Sequence, residues 1–322
     1  MSREKRVSVA PMLDWTDRHC RFFHRLINTN AYLYTEMITT GALIHGDRDR
    51  HLSYAQQEHP LVLQLGGSNP ADLAICSEMG GDYGYDEINL NCGCPSDRVQ
   101  NGAFGACLMK EPELVGECIS AMGNAVKIPV TVKCRIGIDD CDEAPFLEEF
   151  LKKVSNAGCE RFVIHARKAW LKGLSPKENR DIPPLRYDIV QAMRDKFPNL
   201  LIELNGGIQT PVDISDAMED FDGAMIGREA YSNPSILACD VLVDNPVDKS
   251  NVVEKMGAYI ANELQQGRIQ NAHAVTRHMI GLFQGCKGAR YWRRTLSERA
   301  RFCSDEESVK ILFDQAMEQL EI

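Results

Sequence analysis

The sequence lacks any apolar run long enough to span a bilayer. Its first residues, Met-Ser-Arg-Glu-Lys-Arg, are not followed by the apolar core of a signal peptide. It also lacks low-complexity segments and internal repeats beyond an alternation of strands and helices. These absences argue against a membrane-spanning or secreted protein, so we expect a cytoplasmic protein without a membrane partner.

The cysteines lack the spacing of a disulfide framework, although the chain of 322 residues contains 12 of them. Cys92 and Cys94 are separated by one residue, but no second Cys or His pair lies at zinc-finger spacing. We therefore predict no metal site and expect most cysteines to be reduced, buried and apolar in behaviour.

A net positive charge is also absent, since the formal net charge is −10. Two segments nevertheless concentrate basic residues. Eight of them lie in residues 268–301 against Glu298 alone, and six lie in residues 161–180 against Glu178 alone. Such blocks are typical of polyanion binding, but they are equally compatible with two solvated helix faces. Charge counts alone leave both interpretations open.

Short β-branched, apolar segments recur along the first three-quarters of the chain, with amphipathic stretches between them. Helix starts are indicated by Asn69-Pro70 and Thr210-Pro211, while Gly80 and Gly158 lie where a helix C-terminus favours positive φ. This pattern predicts a parallel (β/α)8 TIM barrel. The predicted strands are 7–10, 32–35, 61–65, 87–90, 130–134, 161–165, 201–204 and 223–226.

A doubly wound sheet is the alternative fold, but no Gly-x-Gly-x-x-Gly motif follows the first strand. Residues 1–240 are therefore predicted to form a catalytic barrel domain, and residues 241–250 a linker. Residues 251–322 contain helical segments and no strand, which predicts a C-terminal all-helical domain. The predicted helical segments are 251–266, 270–284, 287–302 and 305–320.

Polar or glycine-rich groups follow every predicted strand, at the barrel end where catalytic residues collect. Two glycine-rich turns, Asn205-Gly206-Gly207 and Gly227-Arg228, follow the last two strands and predict a phosphate site of backbone N–H groups, helix N-termini and a guanidinium. The phosphate belongs either to a substrate or to flavin mononucleotide (FMN). Lys133 favours the flavin, because a fixed lysine stabilises the negative charge of its reduced ring. Gln64 and His165 supply further hydrogen-bonding groups.

The stretch 89–109 leaves a strand through Cys-Gly-Cys-Pro and forms an irregular loop that presents Cys94 above the strand end. The chain there resembles the tRNA-dihydrouridine synthases, and residues 165–185 resemble the A subfamily. The motifs that carry this resemblance cover nearly the whole chain in order. They are Ala10-Pro11-Met12 with Thr16-Asp17, Leu90-Asn91-Cys92-Gly93-Cys94-Pro95, Val132-Lys133-Cys134-Arg135, His165-Ala166-Arg167, Asn205-Gly206-Gly207 and Gly227-Arg228.

The resemblance implies an FMN barrel enzyme that reduces D-loop uridines of tRNA at positions 20 and 20a, with NADPH as the reductant. It implies that Cys94 is the proton donor. Residues facing the tRNA would be Asn91, Lys177 and Arg180, with Arg293 and Arg294 in the helical domain. We expect a monomer. The implied FMN-binding residues are Pro11, Met12, Leu13, Gln64, Lys133, His165, Asn205, Gly206, Gly207, Gly227 and Arg228.

This chemistry suits a thiol, because reduction of the uracil 5,6 double bond needs a hydride at C6 and a proton at C5. A thiol is mostly protonated at neutral pH and can donate that proton. The target base must first be turned out of the tRNA, at a cost of a few kcal/mol that contacts to the RNA backbone offset. Two alternatives are an FMN barrel enzyme acting on a small pyrimidine, like dihydroorotate dehydrogenase, and a non-catalytic RNA-binding protein.

Overall fold

The computed structural model describes residues 5–96, 104–243 and 245–321, which divide into two units. The barrel unit comprises Met1–Leu13 and Ala31–Gly227, and the helical unit comprises Asp14–Asn30 and Arg228–Ile322. This division differs from the predicted one, because it ends the barrel unit before residue 240 and places residues 14–30 with the C-terminal helices. The described residues from 239 to 248, around the predicted linker, contain neither helix nor strand.

Eight parallel strands of the barrel unit form a closed barrel. Closure is shown by the pairing of Leu33 with Leu61 and of Ser8 with both Tyr32 and Met225. A ninth, two-residue strand, β3, pairs with the end of β4 outside the ring. The strands are β1 Arg6–Val9, β2 Tyr32–Tyr34, β3 Ile38–Thr39, β4 Leu61–Gly66, β5 Glu87–Cys92, β6 Val130–Arg135, β7 Arg161–His165, β8 Leu201–Asn205 and β9 Gly223–Ile226.

The predicted barrel is therefore confirmed, and the doubly wound alternative is wrong because an open sheet would leave two edges unpaired. All eight predicted strands are present, and each predicted end lies within two residues of the observed one. Strand β3 was not predicted, since two residues are too few to show a period of two.

The helices are α1 Arg18–Ile27, α2 Thr40–His45, α3 Arg48–Leu52, α4 Pro70–Asp82, α5 Pro112–Ala125, α6 Glu143–Asn156, α7 Glu178–Asp181, α8 Tyr187–Lys196, α9 Pro211–Asp220, α10 Arg228–Ser232, α11 Lys249–Gln265, α12 His273–Thr276, α13 Ala289–Arg299 and α14 Glu306–Met317. Short 3-10 turns cover Gln56–Glu58, Gly105–Lys110, Pro234–Ala238 and Ala300–Phe302. Helices α2 to α9 belong to the barrel unit, and the others belong to the helical unit.

Two of the predicted helix starts are explained by side-chain caps. The Asn69 side chain accepts hydrogen bonds from the N–H groups of Ala71 and Asp72 at the start of α4, and Thr210 accepts from Asp213 at the start of α9. The prediction for Gly80 was wrong, because α4 continues past it to Asp82.

Gly80 is instead required for close helix–strand packing. A Cβ atom there would lie 2.6 Å from Ile88 Cδ1 and 2.7 Å from Leu63 Cδ2. The glycine therefore lets α4 approach the barrel wall. Gly158, by contrast, does have a positive φ of 108°, two residues after α6 ends.

The barrel interior contains an ionic cluster, which we define as Arg6, Glu87, Arg161 and Glu203. Arg6 binds Glu87 at 2.8 Å and also binds Glu203, while Arg161 binds Glu203 at 2.8 Å. Burial opposes the charge of Arg6, but the adjacent carboxylates raise its pKa above the ordinary value. The barrel interior also contains an apolar layer. It consists of Ala10, Tyr34, Val62, Val163 and Met225.

The helical unit packs its long C-terminal helices around Trp292, which is fully buried between Phe283 and Phe313. Its N-terminal helix α1 is capped by Asp17, whose carboxylate also binds Arg277 at 2.6 Å and His278 at 3.1 Å. Burial opposes the charge of Asp17, but hydrogen bonds from His278 and a backbone N–H lower its pKa below the usual range.

The predicted helix at residues 270–284 is mostly absent. Only α12 is helical there, and the following residues form consecutive turns with bonds from N–H to the carbonyl three residues earlier, as in His278 to Val275. The other three predicted segments contain α11, α13 and α14, so the all-helical prediction is otherwise correct.

Candidate active site

Five polar side chains lie near the C-terminal ends of five different barrel strands: Gln64, Asn91, Lys133, His165 and Asn205. The structure brings them together as the sequence predicts. Lys133 donates a hydrogen bond to Asn205 Oδ1 at 3.0 Å, and Asn91 donates to Gln64 Oε1 at 2.9 Å. Four of the five are buried, and Lys133 keeps part of its surface exposed.

The site is electropositive. We define the basic cluster as Lys133, Arg135 and His165. Among the described residues, neither Lys133 nor Arg135 has a carboxylate partner. Burial and the neighbouring Arg135 lower the pKa of Lys133 to about 8, and burial lowers the pKa of Arg135 to about 10. Uncompensated cations in a recess favour an anionic ligand.

His165 is neutral in this surrounding. Burial lowers its pKa well below the ordinary value, and Arg135 and Lys133 lower it further. The ring can therefore accept one hydrogen bond and donate another, as a neutral imidazole does.

The turn after β8 needs both of its glycines. Gly206 and Gly207 have φ values of 104° and 79°. A Cβ atom on Gly206 would lie 2.4 Å from His165 Cδ2, and one on Gly207 would lie 2.5 Å from the hydroxyl of Tyr187. Tyr187 in turn donates a hydrogen bond to the Gly206 carbonyl at 2.6 Å. The backbone is thus held close to the imidazole, as a cradle for a small polar group requires.

The helix N-terminus predicted beyond this turn is capped by side chains of the chain itself. In α9 the Asp213 carboxylate accepts hydrogen bonds from the N–H groups of Gln209 and Thr210 at 2.9 and 2.8 Å. This capping box places a negative charge where the predicted phosphate contact was expected. Any anion at this turn therefore depends on the glycine backbone and the basic cluster.

The remaining predicted cofactor residues have less specific surroundings. Pro11 and Met12 are partly exposed, and Leu13 is 66% exposed at the end of the barrel unit. Gly227 has open space beside its Cα, because no atom lies within 4 Å of the position that a Cβ would take. Arg228 is exposed and begins the helical unit with α10.

The described part of the Cys94 loop is fixed by hydrogen bonds to its backbone. Strand β5 ends at Cys92, and the Asn91 side chain accepts hydrogen bonds from the N–H groups of Gly93 and Cys94 at 3.1 and 3.0 Å. Cys94 is partly exposed, and its carbonyl accepts from Ala106 at 2.9 Å. Residues 97–103 of the predicted loop lie outside the described residues.

Cys92, one strand position before this loop, faces the surrounding helices and is fully buried. Burial raises its pKa well above the ordinary value, so it remains a protonated packing residue. Seven of the twelve cysteines are buried and all are free thiols, as predicted.

Arg135 is a residue of this site to which the sequence gave no role. It is 3% exposed, and its guanidinium donates to the carbonyls of Gly93, Lys168 and Asn179, each at 3.0 Å. It therefore joins the Cys94 loop to the segment after β7. Its position in Val-Lys-Cys-Arg was visible in the sequence, but its three backbone acceptors were not.

Asn179 is the second residue that sequence reasoning missed. It is fully buried, accepts from the Trp170 N–H at 2.7 Å and donates to the carbonyls of Trp170 and Leu174. These bonds fold the loop that presents Lys177 and Arg180, which are both exposed.

The structure sorts the basic blocks into paired and unpaired residues. In the first block Arg161 binds Glu203 and Lys168 binds Glu143. In the second block Arg268, Arg277 and Lys287 bind carboxylates. Exposed residues without an ion-pair partner in the described parts of the chain remain in both blocks: Lys172 and Lys177 in the first, and Arg290, Arg293, Arg294 and Arg301 in the second.

Three of these arginines, Arg290, Arg293 and Arg294, share one face of α13. The opposite face of this helix buries Trp292 and Leu296. Positions three and four residues apart lie on the same helix face. The structure thus places Arg293 and Arg294 together on an exposed basic surface, as a phosphate contact requires.

No three His, Cys, Asp or Glu residues in the described ranges lie close enough together to hold a metal ion. No helix in those ranges is both long and apolar enough to cross a membrane.

The fold and site define a barrel protein with an electropositive recess near a partly exposed thiol. The same fold occurs in a solved 2-naphthoyl-CoA reductase complex, with a TM-score of 0.57 and 10% sequence identity. The similarity covers 72% of this chain and 49% of that one, so the chain spans about half its length.

The chain belongs to the dihydrouridine synthase family, whose family model matches residues 8–319. It is 57% identical to a tRNA-dihydrouridine(20/20a) synthase of Pasteurella multocida strain Pm70 over 300 residues, which is 92% of this chain and 91% of that protein. Synthases of the same name from Vibrio cholerae and Escherichia coli K12 are 57% and 58% identical, covering 93% and 92% of this chain and 93% and 86% of theirs. The family is flavin-dependent.

Proposed function

We propose that this protein reduces uridines 20 and 20a in the D-loop of tRNA, with FMN as its cofactor and NADPH as its reductant. The names of its relatives support the substrate and the positions. The basic cluster beside the Cys94 loop is the structural observation that carries the proposal, because it provides an anion-binding recess next to a proton donor. A small pyrimidine substrate, the alternative from sequence, would not need the exposed arginines of α13.

The residues present suit a flavin. Lys133 and His165 offer a cation and a neutral ring, Gln64 offers a fixed amide, and Gly206-Gly207 offer backbone without side chains. The other proposed FMN-binding residues are Pro11, Met12, Leu13, Asn205, Gly227 and Arg228. When bound and reduced, FMN supplies the hydride that C6 of the uracil receives.

Cys94 is proposed to donate the proton that C5 receives. Its loop leaves the thiol partly exposed at the C-terminal end of the barrel, and its backbone is fixed by Asn91. The Asn91 amide retains one N–H that no described residue accepts, which leaves it able to contact the uracil edge. Proton donation from the Cys94 thiol to C5 would complete the reduction of the 5,6 double bond.

Four exposed basic residues are proposed to bind the RNA backbone. Lys177 and Arg180 lie on the loop that Asn179 organises, and Arg293 and Arg294 lie on α13. Contacts with the backbone would offset the cost of turning the base out. Since the proposed substrate is tRNA, we place the activity in the cytoplasm.

The test is to assay dihydrouridine at positions 20 and 20a in tRNA from a strain that lacks the gene, with and without the wild-type protein. The purified protein should be yellow and release FMN. Cys94→Ala should keep flavin and tRNA binding and lose most turnover, with Cys92→Ala as the matched control. A colourless protein that cannot be reconstituted, or unchanged dihydrouridine in the deletion strain, would contradict the proposal.

A further inference from the structure

A chain of buried hydrogen bonds begins at the ionic cluster and crosses the barrel interior. Thr131 Oγ1 donates to Glu87 Oε1 at 2.6 Å, and Asn89 Nδ2 donates to Thr131 Oγ1 at 2.8 Å. Gln64 Nε2 then donates to Asn89 Oδ1 at 2.8 Å. These four residues are at most 2% exposed, so water does not compete for their bonds.

The same chain of bonds continues to the Cys94 loop. Asn91 Nδ2 donates to Gln64 Oε1 at 2.9 Å, and the backbone N–H groups of Gly93 and Cys94 donate to Asn91 Oδ1. Consecutive side chains thus connect the Glu87 carboxylate to the backbone of the thiol. We call this set the relay: Glu87, Thr131, Asn89, Gln64 and Asn91.

Every bond in the relay points the same way, toward Glu87. An ionised carboxylate only accepts hydrogen bonds, so Thr131 must donate to it, and its oxygen then accepts from Asn89. The Glu87 carboxylate also accepts a hydrogen bond from the Arg6 guanidinium at 2.8 Å, so both of these side-chain partners are donors. The amide group of Asn89 must therefore turn its carbonyl toward Gln64, and Gln64 must turn its carbonyl toward Asn91.

The direction of these hydrogen bonds determines the orientation of the Asn91 amide, at the end of the relay next to the Cys94 loop. If the Asn91 amide were reversed, its NH2 group would face the N–H groups of Gly93 and Cys94, and two sets of donors would oppose each other. The turn that follows β5 would then lose both of its side-chain acceptor bonds. The direction of the relay thus decides whether this turn closes.

We propose that Thr131 and Asn89 are positioning residues for Cys94, and that the Glu87 carboxylate sets the orientation of the Cys94 loop through the relay. This inference rests on the proposed function only for the role of the Cys94 thiol as proton donor. The relay also fixes the Gln64 amide. Its second N–H is directed away from Asn89, and no described residue accepts it, so it can bind a ligand.

The test compares Thr131→Val, which keeps the shape but removes the hydroxyl, with Thr131→Ser, which restores it. Hydrogen exchange is measured by mass spectrometry on a peptide containing residues 93–96, in the flavin-bound protein. We expect exchange about tenfold faster in Thr131→Val, because the turn loses its fixed acceptor, and near wild-type exchange in Thr131→Ser. The rate of Cys94 alkylation by iodoacetamide should change in parallel.

Val163→Ala is the matched control, because it removes atoms from the apolar layer of the same barrel and no hydrogen-bonding group from the relay. It should leave exchange at residues 93–96 within about twofold of the wild type. If Thr131→Val behaves like Val163→Ala, the relay does not position the loop and the proposal is wrong.

A second measurement needs no variant and covers the case in which Thr131→Val fails to fold. In the wild-type protein the N–H of Cys94 should exchange about a hundredfold more slowly than in a free peptide, since it is bonded to a fixed acceptor. Unprotected exchange there would overturn the proposal. These readouts do not depend on turnover, so a failure of the proposed Cys94 chemistry would be seen separately, in the Cys94→Ala assay.

Discussion

The two ends of the barrel interior differ in whether their buried cations have carboxylate partners. At the N-terminal end, the ionic cluster pairs two arginines with two glutamates. At the C-terminal end, Lys133 and Arg135 of the basic cluster have only amide and carbonyl acceptors among the described residues. Balanced charge at one end serves folding, whereas unbalanced charge at the other leaves a place for an anion. Both ends are buried, so burial alone does not distinguish a structural site from a binding site.

The largest expected effect is that of Arg6→Met, which leaves Glu87 and Glu203 without their shared partner. We expect a loss of about 3–5 kcal/mol in the free energy of unfolding, because a buried carboxylate is left uncompensated. Urea unfolding measures this, with the exposed Arg290→Met as the control, for which little change is expected. A loss as small as that of the control would show that the ionic cluster does not support the fold.

Lys133→Met should raise the free energy of unfolding of the flavin-free protein, whereas Arg6→Met should lower it. The pKa of Lys133 is lowered from 10.5 to about 8 mainly by burial, so its charge costs stability. Allowing for its partial exposure, we expect the variant to gain about 1–3 kcal/mol in urea unfolding. Flavin should be lost during purification. A variant that is both less stable and still yellow would contradict the comparison of the two ends.

Gly206→Ala should cost about 1 kcal/mol or more, because the residue has φ of 104° and its Cβ would meet the His165 ring. Gly227→Ala is the matched control for unfolding, since open space surrounds that position. Flavin content per chain, measured by absorbance, should fall in Gly206→Ala. Equal stability in the two variants would mean that the turn after β8 tolerates a side chain.

The smallest effect is a pH dependence. Because the folded-state pKa of Lys133 is below its unfolded value, its cost to stability is fully present below pH 8 and disappears as the pH rises from 8 to 10.5. The stability difference between wild type and Lys133→Met should therefore shrink over that range. Binding of an anionic flavin favours the protonated lysine, so its affinity should fall as the pH rises through 8. Titration of flavin fluorescence checks this, and an affinity that rises instead would exclude Lys133 as the anion's partner.

The strands could be predicted because a short run of β-branched, apolar residues is a local property that each segment carries alone. The partner of a polar side chain is not local. Asn89 meets Thr131 only because β5 and β6 pair in that register, and sequence spacing does not state the register. The direction of the relay follows from the register and so could not be predicted either.

Charge counts failed for the same reason. The two basic blocks were counted against acids in the same stretch of chain, whereas Arg161 and Arg277 pair with Glu203 and Asp17 from elsewhere. Conversely, Gly80 was predicted to provide a positive φ at a helix C-terminus. The structure instead needs a glycine there because α4 lies close to β4 and β5. Sequence patterns predicted candidate residues but left their partners open.

The membership of α1 in the helical unit has a consequence for how the chain folds during synthesis. Asp17 binds Arg277 and His278, which are synthesised some 260 residues later. The cap of α1 therefore cannot make these contacts until both residues have been synthesised. At about 5–20 residues per second, residues 14–30 would wait roughly 10 s or longer on the ribosome. The barrel strands that follow are complete in the meantime. The C-terminal helices therefore cannot be cut away as an independent appendage, because a truncated chain would still carry α1 without the partners that hold it.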